Sequence, residues 1–296
     1  MNTFSRRIAG NYPIRSSAAD LPPRKTRTDL AQAILEMQSW GDIGHFGGLA
    51  YISSEAQSSS CTMNDWEDYS EKHYHFYSDF LPELLNKYLT LSRWKTCLDL
   101  GCGDGATLYA MKVKGLLQNK IVYAVDISQT ALERVREIDN SIICLVEDAS
   151  DINSIDHNSI DFLISSQVIE HVPNDEAMIK EMNRVLRKDG LVFLSTVFKR
   201  PWARYFYRNN GKWVIDPTHL REYESDAELL EKMTGNGFRI LENKKSPLVR
   251  PVVDFFVSRI GVARETYLQR PSLRLFRRVK MPIIGYFWWE IVCIKK

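Results

Sequence analysis

The run Leu98-Asp99-Leu100-Gly101-Cys102-Gly103-Asp104-Gly105 constrains the fold of this chain more than any other feature. A short apolar run, Thr96-Cys97-Leu98, leads into it. A helical stretch follows, and then a second apolar run, Ile121-Val122-Tyr123-Ala124-Val125, which ends on Asp126. The order is strand, glycine-rich turn, helix, strand, acid. Glycines adopt left-handed backbone conformations and let backbone N–H groups come close to a ligand. An acid closing the second strand can accept both hydroxyls of a ribose. The pattern therefore points to a nucleotide-like cofactor at the carboxyl edge of a parallel sheet.

The alternation continues downstream. Apolar runs and helical spacing predict a strand at 96–100, a helix at 105–117, a strand at 121–125, a helix at 128–137 and strands at 141–145 and 160–165. A helix at 174–188, closed by Lys188-Asp189-Gly190, and a strand at 191–197 follow. Ser225-Asp226-Ala227-Glu228 has the form of a capping box that opens a further helix, stopped by Gly235 and Gly237. Strands at 238–242 and 286–295 complete the series. Strand–helix alternation of this kind implies a doubly wound, mostly parallel α/β sheet of Rossmann-like type with helices on both faces. Upstream, Trp66 to Tyr88 reads as one aromatic helix, and a short helix is expected from Asp29 to Trp40. The expected organisation is an N-terminal extension over 1–65, a catalytic domain over 66–296, and a helical insertion at 250–285 before the last strand.

Composition excludes several classes. The net charge of +2 over 296 residues gives no general affinity for nucleic acid, and 44% hydrophobic residues suit an ordinary globular chain. The charge is uneven, however: residues 250–296 hold ten Lys/Arg against Asp254, Glu265 and Glu290. The five cysteines have no metal-ligand spacing, and Cys97, Cys144 and Cys293 fall in apparent strands, which favours a reducing cytoplasm. No apolar signal segment and no apolar run of about 18 residues is visible.

The glycine turn alone leaves two cofactors open, because Gly101, Gly103 and Ala106 also satisfy the dinucleotide pattern. Three features move the balance away from NAD. Asp99 lies inside the strand, where it can brace the turn and help meet an ammonium group. Glu147-Asp148-Ala149 follows the third strand, where an acid and the next N–H can read adenine. The fourth strand runs into Ser166-Gln167-Val168-Ile169-Glu170-His171. With these residues the chain resembles the class I S-adenosylmethionine-dependent methyltransferases of the small-molecule branch, including the ubiquinone-biosynthesis O-methyltransferases, over roughly 66–248 plus the last strand. A shorter, less specific likeness to polysaccharide-biosynthesis methyltransferases lies at Thr218–Tyr223. The resemblance implies a seven-stranded sheet. It implies S-adenosyl-L-methionine as cofactor, with Asp99, Gly101, Gly103 and Gly105 in the turn and Asp126 on the ribose. Ile127 is expected beside the adenine, Asp148 and Ala149 reading it, and Ser166 and Gln167 near the methionine end. The rivals are an NAD-dependent oxidoreductase and a non-catalytic cofactor-binding scaffold.

A hydroxyl acceptor benefits from a base as it attacks. His171, at the carboxyl end of the sheet, is the first candidate, and His219 in Asp216–Tyr223 the second. His73 and His75 sit in the aromatic helix and read as packing or surface residues. Some relatives carry Glu-x-x-Glu-His plus a later His as a magnesium site. Here Gln167 stands at the first position, so Glu170, His171 and His219 form an incomplete set, and no metal is expected. Tyr69, Tyr74 or Tyr77 could close over the cofactor. The expected acceptor is a small molecule, a glycan or a lipid-linked intermediate. The basic and aromatic stretch 250–285 is either a solvated cap or an anionic membrane surface contact, which would place a cytoplasmic enzyme at the inner face of a membrane. Nucleic acid finds no motif here.

Overall fold

A computed structural model describes residues 63–72, 77–205, 207–209, 211–216, 218–251 and 279–296. The expected helix 29–40, Cys61, His73, Tyr74, His75 and most of the 250–285 stretch lie outside the described residues.

The described elements, in chain order, are α1 (Met63–Lys72), α2 (Glu83–Leu91), β1 (Thr96–Leu100), α3 (Ala106–Val113), β2 (Ile121–Asp126), α4 (Gln129–Ile138), β3 (Ile143–Val146) and β4 (Ile160–Ser166). They continue with α5 (Asp175–Val185), β5 (Leu186–Lys199), β6 (Tyr207–Asn209), β7 (Lys212–Val214), α6 (Asp226–Gly235), β8 (Phe238–Pro251) and β9 (Lys280–Lys295). Seven strands form one sheet in the order β3-β2-β1-β4-β5-β9-β8, and β6 pairs with β7 in a separate hairpin. The pairs among β1 to β5 are parallel, whereas β9 runs antiparallel to both β5 and β8.

The period-two alternation of a strand divides the core. Leu98, Leu100, Val125, Leu163, Val192 and Leu194 pack on the face covered by α5 and α6. Cys97, Val122, Ala124, Phe162, Ile164 and Phe193 pack on the opposite face with Leu84, Leu108, Met111 and Leu132 of α2, α3 and α4. Apolar residues at both parities are what a sheet buried on both sides requires. Chain order reverses between β1 and β4, and the crevice at their carboxyl ends is where such sheets hold ligands.

Four expectations change. The stretch 66–88 is not one helix, because residues 77–82 are non-helical and Pro82 precedes the first turn of α2. Proline cannot supply an interior N–H. Instead the buried carboxylate of Glu290 on β9 accepts the Leu84 N–H at 2.8 Å and docks that helix end. Helix α3 ends at Val113, four residues early. Helix α5 ends at Val185, and the chain enters β5 at once, passing Asp189 at φ 60° between the pairing of Leu186 with Ile160 and that of Leu191 with Phe162. Finally, β8 and β9 extend to Pro251 and from Lys280, so the interruption between them is shorter than 250–285. Among the described residues no helix is long and apolar enough to cross a membrane.

Leu98 is fully buried in β1, whereas Leu91 ends α2 in solvent. Leu98→Ala is expected to lower the unfolding free energy by about 2–5 kcal/mol, and Leu91→Ala by no more than about 0.5 kcal/mol. Urea denaturation followed by far-UV circular dichroism measures both.

Candidate active site

The turn after β1 is built on three left-handed glycines, Gly101 at φ 73°, Gly103 at φ 51° and Gly105 at φ 81°. They do different jobs. A Cβ on Gly101 would lie 2.4 Å from a methyl of Val168, so that glycine lets the segment after β4 pack against the turn. A Cβ on Gly103 would meet nothing within 4 Å, so this backbone faces open space. Gly105 precedes the first turn of α3, and a Cβ there would press on Ile138 and Val135. Asp126 closes β2 and straps the turn: its Oδ2 accepts the Gly103 N–H at 2.7 Å, while its Oδ1 accepts the Ser128 N–H at 3.0 Å. Burial raises its pKa, and these amide bonds oppose the rise. Asp99, inside β1, is buried with Oδ2 lacking any partner. Burial, and then the charge of Asp126, push its carboxyl up to about 7.

Ile127 lies between Asp126 and the α4 cap residue Ser128. Asp148 Oδ1 accepts the N–H and the hydroxyl of Ser150 at 2.7 and 2.6 Å, and Ala149 packs against the core. Ser166 Oγ lies 2.9 Å from Ser195 Oγ. Gln167 takes φ 59°, donates its N–H to Ser195 O at 2.9 Å, and leaves its buried Nε2 without a partner.

Helix α1 reaches this edge. Glu67 accepts from Ser128 Oγ at 3.0 Å, from the Thr130 N–H at 3.2 Å and from the Gln129 N–H, which places its carboxylate at the N-terminus of α4. Trp66 sets its ring edge-on to His171 with centroids 5.4 Å apart. Of the three tyrosines named above, Tyr69 packs against Trp66, while Tyr77 donates to Asp104 O at 2.8 Å and stacks on Tyr109.

The third group lies where β4 and β5 end. Glu170 is buried: its Oε2 accepts from Thr196 Oγ1 at 2.9 Å, its Oε1 has no partner, and burial pushes its carboxyl up to about 7. His171 and His219 meet edge to face with centroids 4.8 Å apart. His171 Nδ1 lies 3.2 Å from Thr218 O. Because a carbonyl only accepts, Nδ1 carries the hydrogen and Nε2 keeps its lone pair. Burial and the neighbouring His219 hold the His171 pKa below the usual imidazole range. His219 goes the other way. Burial lowers its pKa, but Glu222, bonded to its Nδ1 at 2.9 Å, together with Glu170 and Asp216, raises it on balance. One carboxylate oxygen and two imidazoles lie within 4.8 Å of one another, a set that could hold a metal ion. Such a set suits a borderline transition ion better than magnesium.

Several partners in this group are ones that sequence reasoning missed. Glu222 Oε1 also accepts the Ile215 N–H at 2.6 Å, and buried Lys199 donates to Trp213 O at 2.7 Å while lying 3.7 Å from Glu222 and 3.3 Å from Glu224. Arg221 spans two segments, donating to Ile169 O and Pro173 O at 2.7 Å each and to Val172 O. Leu220 N and Arg221 N both bond to Glu170 O. Residues 169–173 and 218–223 are thereby locked together. The charged spacing of Asp216-x-x-His219-x-Arg221-Glu222 was the visible signal.

A family profile described as a methyltransferase domain matches residues 98–194. The chain is 28% identical over 169 residues to a ubiquinone biosynthesis O-methyltransferase of Neisseria meningitidis, a match covering 51% of this chain and 67% of that protein. It is 33% identical over 158 residues to one of Glaesserella parasuis, covering 50% and 66%. The match to a second meningococcal relative spans 46% of that protein. Among solved structures, a methyltransferase-type protein from Bacillus halodurans aligns at TM-score 0.50 and 18% identity over 72% of this chain and 96% of that one. A Haemonchus contortus phosphoethanolamine N-methyltransferase, solved with S-adenosylhomocysteine, aligns at TM-score 0.50 and 18% identity over 71% and 51%. The structural likenesses are of fold alone.

The raised Asp99 carboxyl makes a pH prediction for the ligand-free protein. Unfolded, this group ionises near pH 4; folded, it holds its proton to about 7. Its contribution to stability is therefore complete at low pH and is lost as pH rises through that window. Asp99→Asn removes the dependence. Urea midpoints measured from pH 4 to pH 8 should show the variant gaining on the parent as pH rises, and a constant difference would contradict the assignment.

Proposed function

We propose, for a chain that belongs to the class I S-adenosylmethionine-dependent methyltransferases, that it methylates a hydroxyl group and that His171 takes the hydroxyl proton. The cofactor supplies an electrophilic methyl group on a sulfonium, which leaves without needing protonation. The residues present suit such a group. Gly103 offers an open backbone, and Asp99 Oδ2 and Gln167 Nε2 are buried polar atoms still in want of partners. Asp126 is suited to the ribose hydroxyls, since each carboxylate oxygen that accepts an amide keeps a second lone pair. Ile127, Asp148 and Ala149 are assigned to the adenine, and Ser166 and Gln167 to the methionine end. The turn residues Gly101 and Gly105 keep that backbone in place.

The observation that carries the base assignment is the Nδ1–H···O contact of His171 to Thr218, which leaves Nε2 as an acceptor near the switch point of the sheet. His219, held by Glu222 and close to Glu170, is assigned to orient His171 and to carry the positive charge of the cluster. Glu170, His171 and His219 are read as a proton-handling group rather than a magnesium centre, because one carboxylate and two imidazoles are a poor cage for a hard dication. The catalytic domain is taken to be 66–296. The curated relatives named above act in ubiquinone biosynthesis, which favours a small hydroxylated acceptor, with glycan and lipid-linked acceptors as further members of the class to test.

Three outcomes are expected. With labelled S-adenosylmethionine and a panel of catechol, glycan and lipid-linked hydroxyl acceptors, His171→Ala should lower kcat by about a hundredfold or more while S-adenosylhomocysteine binding is unchanged, and EDTA should leave both turnover and Tm where they were. Equal turnover by the variant would remove His171 from the reaction. Gly103→Ala should cost only about 1–2 kcal/mol of stability for its left-handed backbone, yet weaken S-adenosylhomocysteine binding at least about tenfold, because its methyl fills the open approach. Unchanged binding, read by calorimetry, would place the cofactor elsewhere.

A further inference from the structure

The last two strands run on as a paired arm. Its outer rungs join Val249 with Pro282, Arg250 with Met281 and Pro251 with Lys280. The segment after β5 folds over this arm. Arg200 N donates to Gly285 O at 2.8 Å, and a Cβ on Gly285, at φ 83°, would lie 2.6 Å from Ala203 Cβ and 3.1 Å from a ring carbon of Trp202. Large apolar side chains of these segments lie in solvent: Trp202 is 63% exposed and Ile284 75%, and Val249, Val279 and Met281 of the arm are exposed too.

Charge on the arm has one sign. Segments 199–205, 244–251 and 279–289 hold seven Lys/Arg and no Asp or Glu. Lys199 is buried against Glu222 and Glu224, and Lys244 and Lys245 pair with Glu83 and Asp226. Arg200, Arg204, Arg250 and Lys280 form no ion pair with a described carboxylate. The Arg200 guanidinium lies 5.8 Å from the Phe287 ring, and that of Arg250 lies 5.8 Å from the Tyr205 ring. The connecting residues 252–278, outside the described residues, add six arginines against Asp254 and Glu265. Their net charge has the same sign as that of the arm.

We propose that this arm is a docking surface for an anionic phospholipid bilayer, a role independent of the methyl-transfer reading. Cations beside an anionic leaflet are attracted over a Debye length, and an exposed Trp with aliphatic neighbours can enter the headgroup boundary. A nucleic acid strand would satisfy the cations but leave Val249, Met281 and Ile284 in water. A second copy would bring the same charge to the contact.

The test is co-sedimentation of the full chain with vesicles of phosphatidylcholine alone or phosphatidylcholine mixed with phosphatidylglycerol. At about 0.05 M salt the anionic vesicles should bind at least about tenfold more protein, and at about 0.5 M salt most of it should be released. Ile284→Asp should abolish the difference, and Trp202→Ala, a milder change, should reduce it severalfold. S-adenosylhomocysteine binding, unchanged in both variants, would show that they fold. Equal binding to both vesicles, or none at low salt, overturns the proposal. So does a protein that ignores vesicles but dimerises through Ile284 or binds an RNA oligomer.

Discussion

Asp126 is the constraint on which the turn after β1 and the crevice beside it depend. Its two oxygens hold the Gly103 and Ser128 amides at 2.7 and 3.0 Å, so one side chain joins the turn after β1 to the start of α4. That link keeps Gly103 at φ 51° with its backbone open. It also brings a negative charge close enough to Asp99 to help push that carboxyl upward. Glu67 adds a second carboxylate at the same helix end through Ser128 and the Gln129 and Thr130 amides, tying α1 to the crevice. The crevice is thus lined by acids that hold backbone donors in place, the preorganisation that the proposed site requires.

The second half of the site rests on a different interaction. Glu170 and Glu222 are buried acids, and the imidazoles between them are driven apart in pKa, with burial lowering His171 and Glu222, Glu170 and Asp216 raising His219. In the proposed reaction that separation gives the base role to His171 and the charge to His219. The Arg221 guanidinium, on the carbonyls of Ile169, Val172 and Pro173, keeps the two segments in register. Low dielectric makes such a network costly when half-satisfied, and Glu170 Oε1 is its buried oxygen without a hydrogen-bond partner.

Much of the fold was legible because it is local. The strand 96–100 falls where its apolar run and the following glycines put it, and Asp126 closes β2 as the acid after the second run does. The long aromatic helix failed because hydrophobic spacing ignores what Pro82 does to a helix interior. The ends of β5, β8 and β9 were missed because their length is set by pairing between distant segments: Leu186 with Ile160, and Val249 with Pro282. The glycine turn and its acids were visible as one short pattern. The meeting of His171 with His219, 48 residues on in the sequence, was named only through a family likeness, and the roles of Glu67 and Lys199 left no local trace.

In the proposed complex the Asp126-strapped turn holds the ribose of the methyl donor. The most direct measurement is the distance from the Asp126 carboxylate to the ribose hydroxyl oxygens in a crystal of the S-adenosylhomocysteine complex. Both hydroxyls are expected to donate to Asp126 at about 2.5–3.0 Å, with the Gly103 bond kept. A bound ligand whose ribose lies beyond hydrogen-bond reach of Asp126 would contradict it.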